Sequence, residues 1–266
     1  MNRDDVENHV DEIVTINNKG DITFEDEIRN LVYNKTLLRL VKLTKAGLAY
    51  VETPDKKCYS IPPRNVDLWN ENPTSQNICL FDLDGTLVDL DKQIREDMDK
   101  LKSPTDIDFN PWGDDEWIRS RRQLIVKQDK WWDNLPQFKL GFDILHIIRS
   151  FKFEIHVLTK GPSKISNAWT GKVNWCRNNL PEDVKVTITE DKGLVYGKIL
   201  VDDYPDYIID WLEYRPRGLV IMPAHRYNRS FNHPNVIRYD GTNIEEIQRK
   251  VAYTVIRKSG EDLKDF

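Results

Sequence analysis

Asp82-Leu83-Asp84-Gly85-Thr86 follows directly on the apolar run "ICLF". In extended chain, residues i and i+2 point to the same side, so the carboxylates of Asp82 and Asp84 converge on one small volume. Gly85 lets the backbone turn sharply and come close to a ligand. Two like charges held this near repel, and a divalent cation relieves the repulsion. The chemistry suited to such a pair is phosphoryl transfer. One carboxylate attacks phosphorus and is transiently phosphorylated, while the other carries the proton. A bare Asp-x-Asp is usually a turn whose acids cap the next segment; the apolar run before this one and the Gly-Thr after it set it apart. Two later stretches add to the set. "HVLTKGP" ends an apolar run on the hydroxyl of Thr159, just before Gly161 and Pro162 open a helix whose free N–H groups suit a phosphate. "DKGLVYGKILVDD" holds two lysines, Lys192 and Lys198, and two acids, Asp202 and Asp203.

Which of these residues work together depends on the elements that carry them. Apolar, β-rich runs occur at 78–82, 154–159, 185–189, 199–203, 218–222 and 235–239. They alternate with helical periodicity in "GFDILHIIRSF", "SNAWTGKVNWCRNN", "PDYIIDWLEYR" and "NIEEIQRKVAYTV". Strands that read as nearly all apolar belong in a parallel sheet covered on both faces. The order predicts a doubly wound, Rossmann-like α/β domain with its ligands at the carboxyl ends of the strands. Strand polarity then ranks the lysines. Lys192 follows the strand 185–189 and lies at the carboxyl edge, whereas Lys198 precedes the strand 199–203 and lies at the amino edge. A five-residue strand is roughly 16 Å long, so only Lys192 can reach a phosphate beside Asp82. Asp202 is the candidate for the metal, and Asp203 for orienting a water or Lys192. His225 follows the strand 218–222 and borders the same edge, while His146 and His156 read as structural.

With these motifs in this order, the sequence resembles the haloacid dehalogenase superfamily of phosphatases. The resemblance implies Asp82 as nucleophile and Mg2+ ligand, and Asp84 as general acid/base lending its backbone carbonyl to Mg2+. It also implies Thr159 as a phosphate ligand. The second aspartate points to phosphatase rather than dehalogenase chemistry. The stretch "TITEDKGLVYGKILVDDYPD", with Lys192 and Asp202 ten residues apart, is similar to a narrower group, the 5'(3')-deoxyribonucleotidases. That likeness covers about residues 78–250. It implies a (deoxy)nucleoside monophosphate as substrate, a small helical cap after the first motif, and an aromatic run before the crossover helix, where "KWWDNLP" stands here. The chain departs from the group at Lys160, which occupies a position often held by serine and adds a charge to the phosphate-binding set.

About seventy residues separate the first two strands, and 89–136 are more than a crossover needs. Charged, Trp-rich and helix-like, they read as the cap, inserted after the first strand. Trp112, Trp117, Trp131 and Trp132 offer stacking surfaces for a base, worth roughly 1–3 kcal/mol each, or form the cap's own core. Trp131, Trp132, Arg122 and His225 are the candidate substrate contacts; Arg119, Arg121 and Lys127 read mainly as a solvated helix face.

Before the core, residues 1–75 read as an acidic lead-in followed by a small β-rich unit at 36–62, with hairpin signals at Lys45-Ala46-Gly47 and Thr53-Pro54-Asp55-Lys56. A polar linker follows at 70–77, the core occupies 76–258, and 259–266 form a tail. The net charge of −5 argues against a generic nucleic-acid coat. Residues 35–75, however, carry seven Lys/Arg against four Asp/Glu. That excess keeps open an alternative in which the enzyme acts on phosphorylated nucleic-acid ends. A homodimer and a non-catalytic nucleotide-binding or partner-binding protein are further alternatives. The first thirty residues hold nine acids and no apolar core segment, and no apolar run approaches a membrane span. Cys58, Cys79 and Cys176 form no CxxC pair and read as small buried hydrophobes, so the expected compartment is cytoplasmic.

Overall fold

The computed structural model describes residues 13–16, 28, 31, 38–54, 56–63, 66–68 and 77–256. Most of the acidic lead-in, the linker up to Gln76 and the tail 259–266 lie outside these residues. The chain divides into two compact units, one of Met1–Gln76 with Asn243–Phe266 and one of Asn77–Thr242.

The first unit holds an antiparallel sheet of order β4-β3-β2-β1-β5. Its strands are β1 (Ile13–Ile16), β2 (Leu38–Leu43), β3 (Ala49–Glu52), β4 (Cys58–Ile61) and β5 (Val66–Leu68). Both hairpins turn where the sequence signals them. Gly47 (φ +77°) closes β2–β3 and Lys56 (φ +66°) closes β3–β4. Alternate residues Leu38, Leu40, Ala49 and Val51 face one core with Val14, Ile16, Ile61 and Val66, as a period of two requires. The sheet reaches beyond the predicted 36–62. Ile-Val-Thr-Ile, four β-branched residues inside the acidic lead-in, pairs with both β2 and β5. Cys58 corrects the expectation of a buried cysteine; it is exposed on β4, a strand at the sheet's edge.

The second unit is a six-stranded parallel sheet of order β11-β10-β9-β6-β7-β8. The strands are β6 (Ile78–Phe81), β7 (Glu154–Thr159), β8 (Lys185–Ile188), β9 (Ile199–Val201), β10 (Leu219–Pro223) and β11 (Val236–Tyr239). All four residues of β6 are buried. From β6 the chain builds β7 and β8 on one side, then returns to lay β9 on the other. The gap between β6 and β9 is the point where strand order reverses, and there the carboxyl ends open a crevice. The helices are α1 (Leu90–Lys100), α2 (Glu116–Val126), α3 (Lys139–Ser150), α4 (Ser166–Asn179) and α5 (Pro205–Tyr214). A further helix, α6 (Ile244–Ile256), falls in the first unit.

The insert leaves and rejoins the core through a narrow neck. Asp89 N donates to Pro136 O at 2.9 Å and Phe138 N to Leu87 O at 2.8 Å. Between these points, α1 buries Ile94 and Met98, α2 buries Ile118 and Ile125, and a 3-10 turn at Trp132–Asn134 lies against α4. Among the described residues, no helix is long and apolar enough to cross a membrane.

Candidate active site

Strands β6 and β9 run side by side and end together, β6 at Phe81 and β9 at Val201. Asp82 still donates its N–H to Val201 O at 2.8 Å. Asp82, 5 % exposed, therefore starts its side chain beside Asp202 and Asp203, which are 0 % and 4 % exposed. One carboxylate oxygen from each of the three lies within 4.8 Å of the others. A short 3-10 turn, Lys192–Leu194, delivers the lysine, and the Asp191 carboxylate caps it by accepting from Gly193 N at 2.9 Å. The Lys192 ammonium is 2.7 Å from both Asp82 Oδ1 and Asp202 Oδ2, over the ring of Tyr207 at 4.7 Å. Burial opposes its charge, but Asp202 and Asp82 outweigh that and hold it protonated well above lysine's ordinary value. Lys198 lies at the other edge, where its ammonium donates to Asn77 Oδ1 at 2.5 Å beside the amino end of β6.

Asp84 is held by a different cation. Lys172 donates to Asp84 Oδ2 at 2.6 Å, Thr159 Oγ1 at 3.1 Å and Lys160 O at 2.6 Å. All three ammonium protons are thus used, and the tips of β6 and β7 are tied to α4. The other carboxylate oxygen, Asp84 Oδ1, is buried with no hydrogen-bond partner among the described residues. Burial raises the Asp84 pKa against the opposing pull of Lys172. Burial likewise lifts Asp202 to about 7 despite Lys192, and burial together with Asp82 lifts Asp203 to about 7. Four carboxyl groups thus face two buried ammoniums. An all-oxygen donor set of this kind fits a hard divalent cation, whose charge would favour the ionised acids.

Asp203 is braced on both oxygens. Thr86 Oγ1 donates to Oδ1 at 3.0 Å, and the Tyr227 hydroxyl donates to Oδ2. Gly85 is required here: its φ is +80°, and a Cβ would come within 2.5 Å of Asp203 Oδ2. His225 donates from Nε2 to Gly85 O at 2.6 Å.

The structure therefore brings Asp82, Asp84, Thr159, Lys192, Asp202 and Asp203 to one edge, with His225 behind the Asp82–Thr86 turn. The remaining candidates divide. Lys160 is half-buried with its ammonium 5.2 Å from the Tyr207 ring, so two lysines flank that tyrosine. The ring of Trp132 lies 5.3 Å from the Lys172 ammonium. Trp131 is committed to the cap, donating its indole N–H to Asp97 Oδ2 at 2.7 Å. Arg122 donates to the carbonyls of Pro111 at 2.6 Å and Gly113 at 2.9 Å. Its guanidinium closes the α1–α2 connection, and its side chain reaches the cap cavity as part of the wall.

Sequence reasoning missed Lys172, Tyr207 and Tyr227. Lys172 had a readable signal: α4 buries Ala168, Gly171, Lys172, Trp175 and Cys176, a stripe at i, i+3, i+4, i+7 and i+8. A lysine on the core-facing stripe needs a buried partner. Tyr207 and Tyr227 had no comparable signal.

No family model matches the chain, and no curated protein matches it. Among solved structures, it is similar to a HAD-superfamily hydrolase from Ehrlichia chaffeensis at 9% identity and a TM-score of 0.38, covering 68% of this chain and 98% of that one. A dehalogenase aligns at 12% identity and a TM-score of 0.39, covering 70% and 99%. CbbY from Rhodobacter sphaeroides, in complex with phosphate, aligns at 12% identity and a TM-score of 0.34, covering 62% and 93%. Likeness at this level carries no chemistry across; what the site can do follows from its own geometry.

Proposed function

We propose that the protein is a Mg2+-dependent phosphomonoesterase of the haloacid dehalogenase type, acting on (deoxy)nucleoside monophosphates through an aspartyl-phosphate on Asp82. The observation that carries this reading is the unlike treatment of the two acids of one turn. Asp82 has one oxygen on the Lys192 ammonium and lies in the cluster with Asp202 and Asp203, where a cation and a phosphate would meet it. Asp84 keeps one buried oxygen without a partner among the described residues and has its pKa raised by burial against the pull of Lys172, which suits it to the proton-carrying role. Environments that separate two neighbouring carboxyl groups assign them to different roles.

In the first step an Asp82 oxygen attacks phosphorus, the bond from phosphorus to the ester oxygen breaks, and Asp84 gives its proton to the departing alcohol. In the second, Asp84 takes a proton from water as that water attacks the phosphoaspartate, which releases inorganic phosphate and restores both acids. Lys192 and the Thr159 hydroxyl hold phosphate oxygens, with Lys160 adding charge at the mouth. Mg2+ would be held by Asp82, Asp202 and the Asp84 carbonyl, with Asp203 in support, and would neutralise charge where an anionic nucleophile meets an anionic ester.

For the leaving group, a cavity of about 250 Å³ lies between the cap and the loop after β7, lined among others by Ile94, Trp112, Arg119, Gln123, Trp132 and Pro162. Its wall near the phosphate loop is Trp132, and flat apolar walls with a few polar tips suit a nucleobase.

A phosphate-release panel with Mg2+ tests the reading. It compares 5'- and 3'-deoxynucleotides, ribonucleotides and a 3'-phosphorylated oligonucleotide. Mononucleotides should be turned over, Asp82→Asn should abolish turnover, Lys192→Ala should lower it about 100-fold or more, and Lys198→Ala should leave it unchanged. Release from the oligonucleotide alone would move the substrate to nucleic-acid ends, and release from nothing would end the enzyme reading.

A further inference from the structure

The loop after β10, Ala224-His225-Arg226-Tyr227-Asn228, touches both acidic strand ends without contributing an acid of its own. Its two aromatic side chains form a flat stack with Phe138 from the neck of the insert. Phe138 and His225 lie 4.7 Å apart at 19°, and His225 and Tyr227 lie 4.9 Å apart at 11°. Stacking on both faces fixes the imidazole plane, so that Nε2 aims at Gly85 O. The same stack aims the Tyr227 hydroxyl at Asp203 Oδ2.

The loop is itself braced. Asn228 donates to Asp203 O at 3.0 Å and Pro223 O at 2.9 Å, and accepts from His225 N at 2.9 Å and Arg238 Nε at 3.2 Å. Arg238 also donates to His225 O at 3.0 Å. One end of this clamp grips the turn that carries Asp82 and Asp84, and the other grips the strand end that carries Asp202 and Asp203. Gly85 is pressed between them, His225 on its carbonyl and Asp203 on its Cα.

We infer that His225 and Tyr227 are positioning residues that set the spacing of the two halves of the acidic cluster, and so determine its affinity for the divalent cation. The inference rests on the Mg2+-dependent reading above. The β6–β9 pairing sets the two strand ends side by side, and beyond them Lys192 and the Thr86 hydroxyl link the two halves. The clamp adds the contacts on Gly85 O and Asp203 Oδ2, which hold the turn and the strand end from behind. Groups that orient ligands from behind typically change metal affinity by about 10- to 100-fold when removed.

The test is calorimetric binding of Mg2+, and of Mn2+ as a spectroscopic probe, to the full chain without substrate. Tyr227→Phe keeps the stacked ring and removes only the hydroxyl; His225→Phe keeps the stack and removes only the donor. Each should weaken cation binding about tenfold or more and raise the Mg2+ needed for half-maximal turnover by the same factor, with kcat recovered at saturating Mg2+. His225→Gln, which retains an N–H donor without the ring, should fall between wild type and His225→Phe. Wild-type affinity in both Phe variants would overturn the inference, as would a loss of kcat that saturating Mg2+ does not repair. A wild-type chain that binds neither cation would overturn the Mg2+ reading itself, an outcome distinct from the other two.

Discussion

Asp202 and Asp203 have ordinary carboxyl pKa values of 3.8 that burial lifts to about 7 in the folded chain. A group whose folded pKa lies above its unfolded value contributes stability at pH below the unfolded value, and that contribution is lost as pH rises through the folded one. The cation-free protein should therefore melt at progressively lower temperature as pH rises from about 5 through about 7. Mg2+ should reverse the trend, because a bound cation favours the ionised acids. Melting curves over this pH range, with Mg2+ and with a chelator, check this, and a pH profile that Mg2+ leaves unmoved would contradict it. At this scale the sequence was informative where a residue's role follows from its neighbours in the chain. Asp82 and Asp84 are readable because i and i+2 share a side, and Lys192 is separable from Lys198 by strand polarity alone. Lys172 is harder to read because lysines on helices are normally solvated, and only its place on the buried stripe of α4 marks it. Tyr227 meets Asp203 across 24 residues through the geometry of a loop, and no pattern in the sequence encodes that meeting.

The elements matter through how closely they approach the turn at Asp82–Thr86. Helix α3 comes nearest. A Cβ on Gly141, in its first turn, would lie 1.7 Å from Thr86 O, and backbone on both sides leaves no flexible tip to yield. Gly141→Ala must push α3 and the turn apart, disturbing Thr86 and through it Asp203. Overpacking of this kind typically costs about 1–3 kcal/mol. Turnover should fall more than stability alone explains, because the displaced turn carries Asp82 and Asp84, the acids proposed to react. Denaturant melts paired with kcat on the folded fraction measure the two effects, and a variant with lower stability but normal kcat would show that the turn tolerates the shift. Helix and strand order is legible from periodicity. β7 ends with its apolar run at Thr159, but α4 begins at Ser166, without a side-chain cap, rather than at Gly161-Pro162, so its first turn lies several residues beyond the phosphate loop the sequence suggests. The acids proved to lie just past their strands rather than within them, since the chain turns at Phe81 and Val201 while apolar character alone does not mark the turn. The insert was legible as surplus length, but its interior was not. Which tryptophan faces the cavity depends on how the 3-10 turn sets against α4, and that placed Trp132 toward the site and tied Trp131 to Asp97.

Across the whole molecule, every residue of the candidate site lies within Asn77–Thr242, whereas the five-stranded sheet and α6 belong to the other unit. Local pattern extends the core to residue 258, whereas Asn243–Phe266 groups with Met1–Gln76. Such a division is invisible to local pattern, because α6 carries the same amphipathic periodicity as the helices of the parallel sheet. It changes what truncation reports. Deleting residues 1–76 removes the sheet and leaves α6, with Ile247, Val251 and Val255 buried in the intact chain, without the rest of its unit. The truncated protein should melt at lower temperature and aggregate more readily. On the proposed function, turnover of a mononucleotide per folded molecule should persist, because no residue proposed to react or to hold the cation is lost. The excess of basic residues in 35–75 predicts a different response from a phosphorylated oligonucleotide: if the sheet binds a strand, that substrate alone should lose KM on truncation. Parallel assays of both substrates, with the active fraction titrated, separate the outcomes, and loss of mononucleotide turnover in well-folded truncated protein would mean that the first unit takes part in the reaction.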